Sequence, residues 1–379
     1  MRTLFRNGLV LGLIVASFAA CSGGGDDDYV PSEYEYAYVV NNGSSNVSAY
    51  AIDSSTGALS ALSGSTFPAG SQPASMAIDP AGKFAYVANY GSGNVSAYAI
   101  LALADWGQAA GSLEAISGSP FPAGSGPNAV VIDPSGKFAY VANSNYVSNN
   151  VSAYAIDSST GALAALPGSP FPVGANPLSI TIAPSGKFAY VTNTGNNNVS
   201  AYAINSSSGA WTAIAGSPFP AGSQPVSVAV DPAGKFAYVA NEWYDTVSAY
   251  TINSTTGALT AVAGSPFPTG YYPASVVADP SGKFVYVANA WSANVSGYAI
   301  NSSTGALTAI AGSPFPAGSN PVAIAFDPTR KYMYVANKES NNVSAYAVNA
   351  TSGVITEIAG SPFAAGTDPV SVATLRIVR

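Results

Sequence analysis

The tetrapeptide Tyr-Val-x-Asn limits the possible folds of this chain more than any other feature. It starts at Tyr38, Tyr86, Tyr140, Tyr190, Tyr238, Tyr286 and Tyr334, with successive spacings of 48, 54, 50, 48, 48 and 48 residues. A period this tight means one supersecondary unit written seven times, each burying its apolar surface against its neighbours. Residues 225–270 display the unit: "PVSVAVD", the turn "DPAGK", "FAYVAN", a variable loop, "TVSAYTIN", the turn "STTG", "LTAVAG", and then "SPFPTG". Short Val-, Tyr- and Ala-rich runs with Gly and Pro only between them predict four β-strands per unit.

The turns have a physical basis. In Asp-Pro-x-Gly-Lys the Asp accepts backbone N–H groups, Pro presets its φ, and Gly takes a left-handed position. The motif recurs at Asp79, Asp133, Asp231 and Asp279, with Arg330 in place of Gly in the copy at Asp327 and Ala183 in place of Asp in a sixth copy. That repetition assigns these carboxylates to turns and not to chemistry. The recurrent Asn-Val-Ser at Asn46, Asn94, Asn150, Asn198, Asn294 and Asn342, with Thr246 in the remaining unit, reads as polar strand starts.

Four antiparallel strands repeating about every 45–50 residues point to propeller blades, which remove exposed sheet edges by closing a ring. The ends support closure. The first copy has no preceding first strand, and "DPVSVATLRI", residues 368–377, is a first strand with no blade of its own. The expected fold is therefore all-β: a seven-bladed β-propeller over residues 36–379, its C-terminal strand completing the N-terminal blade. Only 8% of residues are charged while 48% are hydrophobic, so burial must be extensive and the surface built from small polar residues. With 12 basic against 19 acidic residues, nothing marks a nucleic-acid surface.

The copies "YVAN" and "YVTN" (the latter at Tyr190), with "DPSGK" and "NVSAYAI", resemble the YVTN-repeat β-propeller family, related to propellers of 6-phosphogluconolactonase-like and cycloisomerase-like proteins. That resemblance implies the propeller fold. It also implies an alternative activity, lactone hydrolysis, which in the related lactonases is thought to use His, Glu and Arg in the central channel. This chain contains no His. Six lysines, Lys83, Lys137, Lys187, Lys235, Lys283 and Lys331, sit in the repeated turn, leaving Arg330, Lys338, Arg376 and Arg379 as other propeller cations. No metal-ligand cluster, phosphate-binding Gly loop or cofactor motif stands out, so neither metal nor cofactor is expected.

Strand alternation places the two repeated turns of each blade on one face and the two variable loops on the other. Residues that break the repeat are what a ligand requires. On the variable face these are Tyr90, Asn145, Tyr146, Glu242, Trp243, Tyr244, Asp245, Tyr271, Tyr272, Trp291, Lys338 and Glu339. Trp243, Tyr244, Tyr271, Tyr272 and Trp291 form the candidate ligand-binding set, suited to stacking on a sugar or gripping a protein. Glu242, Asp245, Lys338 and Glu339 are the catalytic candidates. The leading expectation is a binding or interaction propeller for a glycan or envelope protein, with a lactonase-like hydrolase as the alternative. A longer hairpin with Trp106, residues 101–112, sits on the opposite face.

The N-terminus reads as an address. Arg2 and Arg6 precede a short apolar run, residues 8–20, and the run ends "SFAAC" with the only cysteine, Cys21. This resembles a bacterial lipobox, with Phe18 in place of the usual Leu. Residues 1–20 are then a signal peptide, Cys21 a lipidated anchor to the membrane, and residues 21–35 a Gly-rich, acidic tether. Ser22 fits outer-membrane sorting within the cell envelope. In a Gram-negative host, labelled palmitate is expected to enter the full chain and to be lost in Cys21→Ser. Equal labelling of both would remove the anchor.

Overall fold

The computed structural model describes residues 33–102, 108–145 and 148–378. Cys21, Trp106 and Tyr146, like the whole proposed signal peptide, lie outside the described residues. Seven antiparallel sheets make up the structure. In six of them the strands follow chain order, as in Pro225–Val230, Phe236–Asn241, Thr246–Ile252 and Leu259–Ala261. The seventh is the seam. There Pro369–Val378 pairs with Glu33–Asn41, which is followed outward by Asn46–Ile52 and Leu59–Pro68. Tyr38 faces Ala373 in this register, so the tail supplies the head's missing strand.

Ring closure is visible in the first strands, each of which abuts the first strands of both neighbouring blades. The last one, Pro369–Val378, contacts both Pro321–Phe326 and Pro73–Ile78. The expected seven-bladed propeller is therefore the observed one. Two details depart from the sequence reading. The seam strand begins at Glu33, so Glu33, Tyr34 and Glu35 join the sheet and not the tether. In six blades the fourth strand is also split, and a Phe-Pro or Phe-Ala pair such as Phe267–Pro268 returns to the start of the third strand. Proline breaks that ladder because it has no N–H to donate. In the seam blade Thr66 stands at the proline position, pairs with Ser48, and the fourth strand runs unbroken from Leu59 to Pro68.

The second strands are buried throughout, apart from Glu33 and Tyr34 at the start of the seam strand, and the apolar core is divided among the interfaces. One such cluster joins Tyr190, Val199 and Ile214 of one blade to Val228, Val239 and Tyr250 of the next. Each interface is also tied by two tyrosines. Tyr190 donates its hydroxyl at 2.8 Å to the carbonyl of Gly257 in the following blade, and Tyr250 of that blade donates back at 2.7 Å to Pro220. Gly257 suits the task twice over. Its φ is +75°, and a Cβ there would lie 2.5 Å from the Phe188 ring.

The repeated turns behave as expected. Asp231 Oδ1 accepts the N–H groups of Lys235 and Phe236 at 2.6 and 2.7 Å. Ala183 keeps the backbone turn, with the Gly186 N–H donating to its carbonyl at 2.8 Å. The Asn-Val-Ser residues do start strands. Asn294 Oδ1 accepts from Asn289 Nδ2 at 2.7 Å, and Thr246 Oγ1 does the same for Asn241 in the odd blade.

Tyr190→Phe leaves the Gly257 carbonyl buried without its donor, at an expected cost of about 1–3 kcal/mol. Urea denaturation checks this. Tyr244→Phe, on the exposed rim, is expected to leave the midpoint unchanged.

Candidate functional site

The inner ring sets the first chemical limit. Its seven strands, from Pro73–Ile78 round to Pro369–Val378, contain Pro, Ser, Thr, Ala, Asn, branched aliphatic residues, Met76 and Phe326, and Arg376 is their only ionisable side chain. Several of the small polar groups are already engaged. The hydroxyls of Ser179 and Ser227 accept amides of the next inner strand at 3.2 and 3.1 Å, and Asn128 Nδ2 donates to Leu178 at 2.9 Å. Acid–base chemistry on this scaffold must therefore come from the loops at the mouths of the ring.

On the variable face, the residue after Tyr-Val-x-Asn leads onto the inner ring. Asn42 Nδ2 donates to the carbonyl of Pro73, and Thr194 Oγ1 to that of Pro225, each at the start of the next inner strand. The equivalent positions are Tyr90, Ser144, Glu242, Ala290 and Lys338. Glu242 and Lys338 thus stand in the same circle of positions, two blades apart. Glu242 is half-buried, and burial raises its carboxyl above the ordinary value of 4.5. Its carboxylate has no hydrogen bond or ion pair among the described residues.

The other catalytic candidates do not converge with it. Asp245 has φ +50° and its Oδ1 accepts the Tyr272 N–H at 2.9 Å. Asn197 and Asn341 do the same corner work in other blades, for Gln224 and Asp368. Asp and Asn tolerate the left-handed conformation and hold the adjoining loop. Glu339 is exposed and accepts from Asn320 Nδ2 at 3.1 Å. Among the described residues the only ion pair is Arg376 with Glu33, on the seam and away from this mouth.

The aromatic candidates do gather. Residues Glu242–Tyr244 form a short 3₁₀ turn, and Asp245 ties that loop to the Thr269–Tyr272 connection. Tyr272 is half-buried and stacks on Trp291, with ring centroids 3.8 Å apart and planes 15° apart. Trp243, Tyr244, Tyr271 and Trp291 remain 61, 69, 66 and 70% exposed.

Sequence reasoning missed a second grouping at the repeated-turn mouth. A cleft of about 500 Å³ there is lined by Arg330 and Arg376 together with Asp79 and Asp327. Glu35 is 5% exposed nearby, its carboxyl raised first by burial and then by Asp327. The available signal was positional. Glu35 precedes Tyr36 where six blades carry Lys before the aromatic residue. The acids and arginines of this mouth offset one another.

These features define a closed propeller whose repeated residues hold the fold, whose variable mouth carries the exposed aromatic exceptions with Glu242 and Lys338, and whose other mouth carries Glu35, Arg330 and Arg376. The chain belongs to the lactonase family of seven-bladed β-propellers, whose model matches residues 29–314 and 179–373. No curated protein matches its sequence. Solved structures share the fold. A candidate 6-phosphogluconolactonase from Bacteroides uniformis is 21% identical, with a TM-score of 0.77 over 90% of this chain and 99% of its own. A periplasmic gluconolactonase from Pseudomonas aeruginosa is 18% identical, with a TM-score of 0.77 over 91% of this chain and 99% of its own. Hydrazine synthase from Kuenenia stuttgartiensis is 21% identical, with a TM-score of 0.59 over 86% and 99%.

Asp245→Ala is expected to lower stability by about 1–2 kcal/mol in urea denaturation, because the Tyr272 N–H loses its acceptor and Ala resists positive φ. Asp245→Asn keeps both features and is expected to stay within about 0.5 kcal/mol of the parent chain.

Proposed function

We propose that the protein is a lactonase-type hydrolase of unphosphorylated sugar lactones, working at the variable-loop mouth with Glu242 as general base. One observation carries the assignment: Glu242 is a half-buried carboxylate with a raised pKa and no hydrogen bond or ion pair among the described residues, at a position leading onto the inner ring. Desolvation of that kind brings a carboxylate toward the range in which it both accepts and returns a proton near neutrality. Family membership supports the reaction class.

Charge supports the choice of an unphosphorylated substrate. The variable loops carry Glu242, Asp245, Glu339 and Asp368 against Lys338 alone. A phosphate dianion needs cations or a nest of amides. The P. aeruginosa relative is named for gluconolactone, which has no phosphate.

In the proposed step, Glu242 takes a proton from water as the water oxygen bonds to the lactone carbonyl carbon. The tetrahedral adduct collapses with cleavage of the bond to the ring oxygen. Glu242 returns its proton to that oxygen, and the product acid releases its own proton to solvent. A second reading, a non-catalytic binding propeller of the cell envelope, is favoured by the exposed rim aromatics. In either case we assign the protein to the envelope, anchored through Cys21.

Proton release from glucono-δ-lactone, corrected for spontaneous hydrolysis, tests the proposal. Only the carboxylate form of Glu242 can act as base, so kcat/KM should rise with pH through a midpoint above 4.5. Glu242→Gln should lower kcat/KM by about 10²-fold or more, the usual contribution of a general base. Turnover no faster than the spontaneous rate would overturn the hydrolase assignment, and an unaffected Glu242→Gln variant would remove Glu242 as its base.

A further inference from the structure

The rim aromatics are the most exposed large rings among the described residues, in a structure that buries most of the others. The buried Trp211 has partners on several sides, its ring 4.9 Å from Tyr140 and 5.0 Å from Tyr202. Trp243 and Trp291 present more than half of their surface to solvent, as do Tyr244 and Tyr271. Exposed large rings clustered on one side of a protein mark a contact surface more often than scattered single ones do.

We infer that the rim formed by Trp243, Tyr244, Tyr271 and Trp291 is a binding surface for a neutral polysaccharide chain, separate from any hydrolysis at Glu242. Three observations select this occupant. First, the rings are set on loops and not on a mobile tail. Tyr271 donates its backbone N–H to Ser292 Oγ at 2.8 Å, Trp291 donates to the Tyr271 carbonyl at 3.3 Å, and Tyr272 backs Trp291 face to face. A pre-positioned aromatic face suits the flat C–H side of a pyranose, and fixing it in advance lowers the entropy lost on binding.

Second, the residues between the rings are polar or small. Ser223, Gln224, Asp245 and Ser292 lie in the same loops, which contain no Leu, Ile, Met or Val. A protein partner's hot spot requires a desolvated apolar centre. Hydroxyls and amides around isolated rings instead match the equatorial hydroxyls at a sugar's edge. Third, the charge is wrong for acidic partners. Of the five charged residues in the variable loops, Lys338 alone is positive, so anionic lipid surfaces and acidic glycans are repelled.

Affinity electrophoresis of the mature chain through native gels containing hydroxyethylcellulose, laminarin or galactomannan tests the inference. Retardation is expected in at least one gel. It should weaken tenfold or more in Trp243→Ala and in Trp291→Ala. Because Trp291 supports Tyr272, Tyr271→Ala serves as an independent variant, and melting temperatures confirm that all remain folded. Glu242→Gln should be retarded like the parent, which separates this inference from the hydrolase. Absence of retardation in all three gels, or retardation indifferent to both Trp substitutions, overturns it, as does a protein partner captured through these same rings without any glycan binding.

Discussion

A reciprocal pair of tyrosine hydroxyls at each blade interface is the interaction on which the rest of the molecule depends. The donors Tyr38, Tyr86, Tyr140, Tyr190, Tyr238, Tyr286 and Tyr334 reach forward to Gly111, Gly161, Gly209, Gly257, Gly305, Gly353 and Gly57. A second set reaches back, and Tyr50 to Ala364 closes it across the seam. Burial pushes the forward set well above the ordinary phenol value, so these groups stay neutral donors throughout the stable range of a protein. The hydrophobic clusters supply most of the favourable free energy between sheets. The hydroxyls add direction, because a blade rotated or shifted by one residue would bury an unpaired carbonyl.

The seam shows what closure without a covalent turn requires. Elsewhere Asp-Pro-x-Gly-Lys joins the first strand to the second. At the seam these strands come from opposite ends of the chain, and the missing turn is replaced by length. Glu33–Asn41 and Pro369–Val378 run past the end of the ordinary ladder, and Glu33 pairs with Arg376 where the turn would be. Half-exposed as it is, that ion pair is worth little by itself. The extended ladder and the Tyr36–Leu375 packing in the seam cluster carry the closure.

Almost all of the fold was legible because each structural task is written seven times. Period, turn chemistry and the unmatched end strands were enough to give blade number and closure. The tyrosine latches were not legible, since Tyr-Val-x-Asn alone does not say whether its Tyr faces a neighbouring blade or solvent; only the register onto the next blade's Gly decides. The site was legible in part. The Trp243, Tyr271, Tyr272 and Trp291 loops meet as the loop sorting implied. Asp245 looked like a non-repeating acid, yet it performs the corner task that Asn197 and Asn341 perform, which needs a φ angle and not a residue name to recognise. The Glu35 burial likewise depends on strand extension beyond the repeat.

The division of labour between the two faces explains where novelty can accumulate. On the variable face the two loops of each blade are joined through backbone groups, as in Tyr90 N–H to Gln72, Glu242 N–H to Gln224 and Lys338 N–H to Asn320. The side chains at those positions take no part in these bonds, so Tyr, Glu and Lys are interchangeable as far as the loop frame is concerned. On the repeated face the Asp side chain itself is the acceptor for two backbone N–H groups, and substitution there removes those bonds even where, as at Ala183, the backbone turn is kept. A ring of seven similar blades cannot grip an asymmetric ligand with its repeated residues. It can do so only where the frame is indifferent to the side chain. Glu242 and the rim aromatics lie in that part of the molecule, on consecutive residues and adjoining loops, so a half-buried carboxylate and exposed rings stand side by side on the variable face.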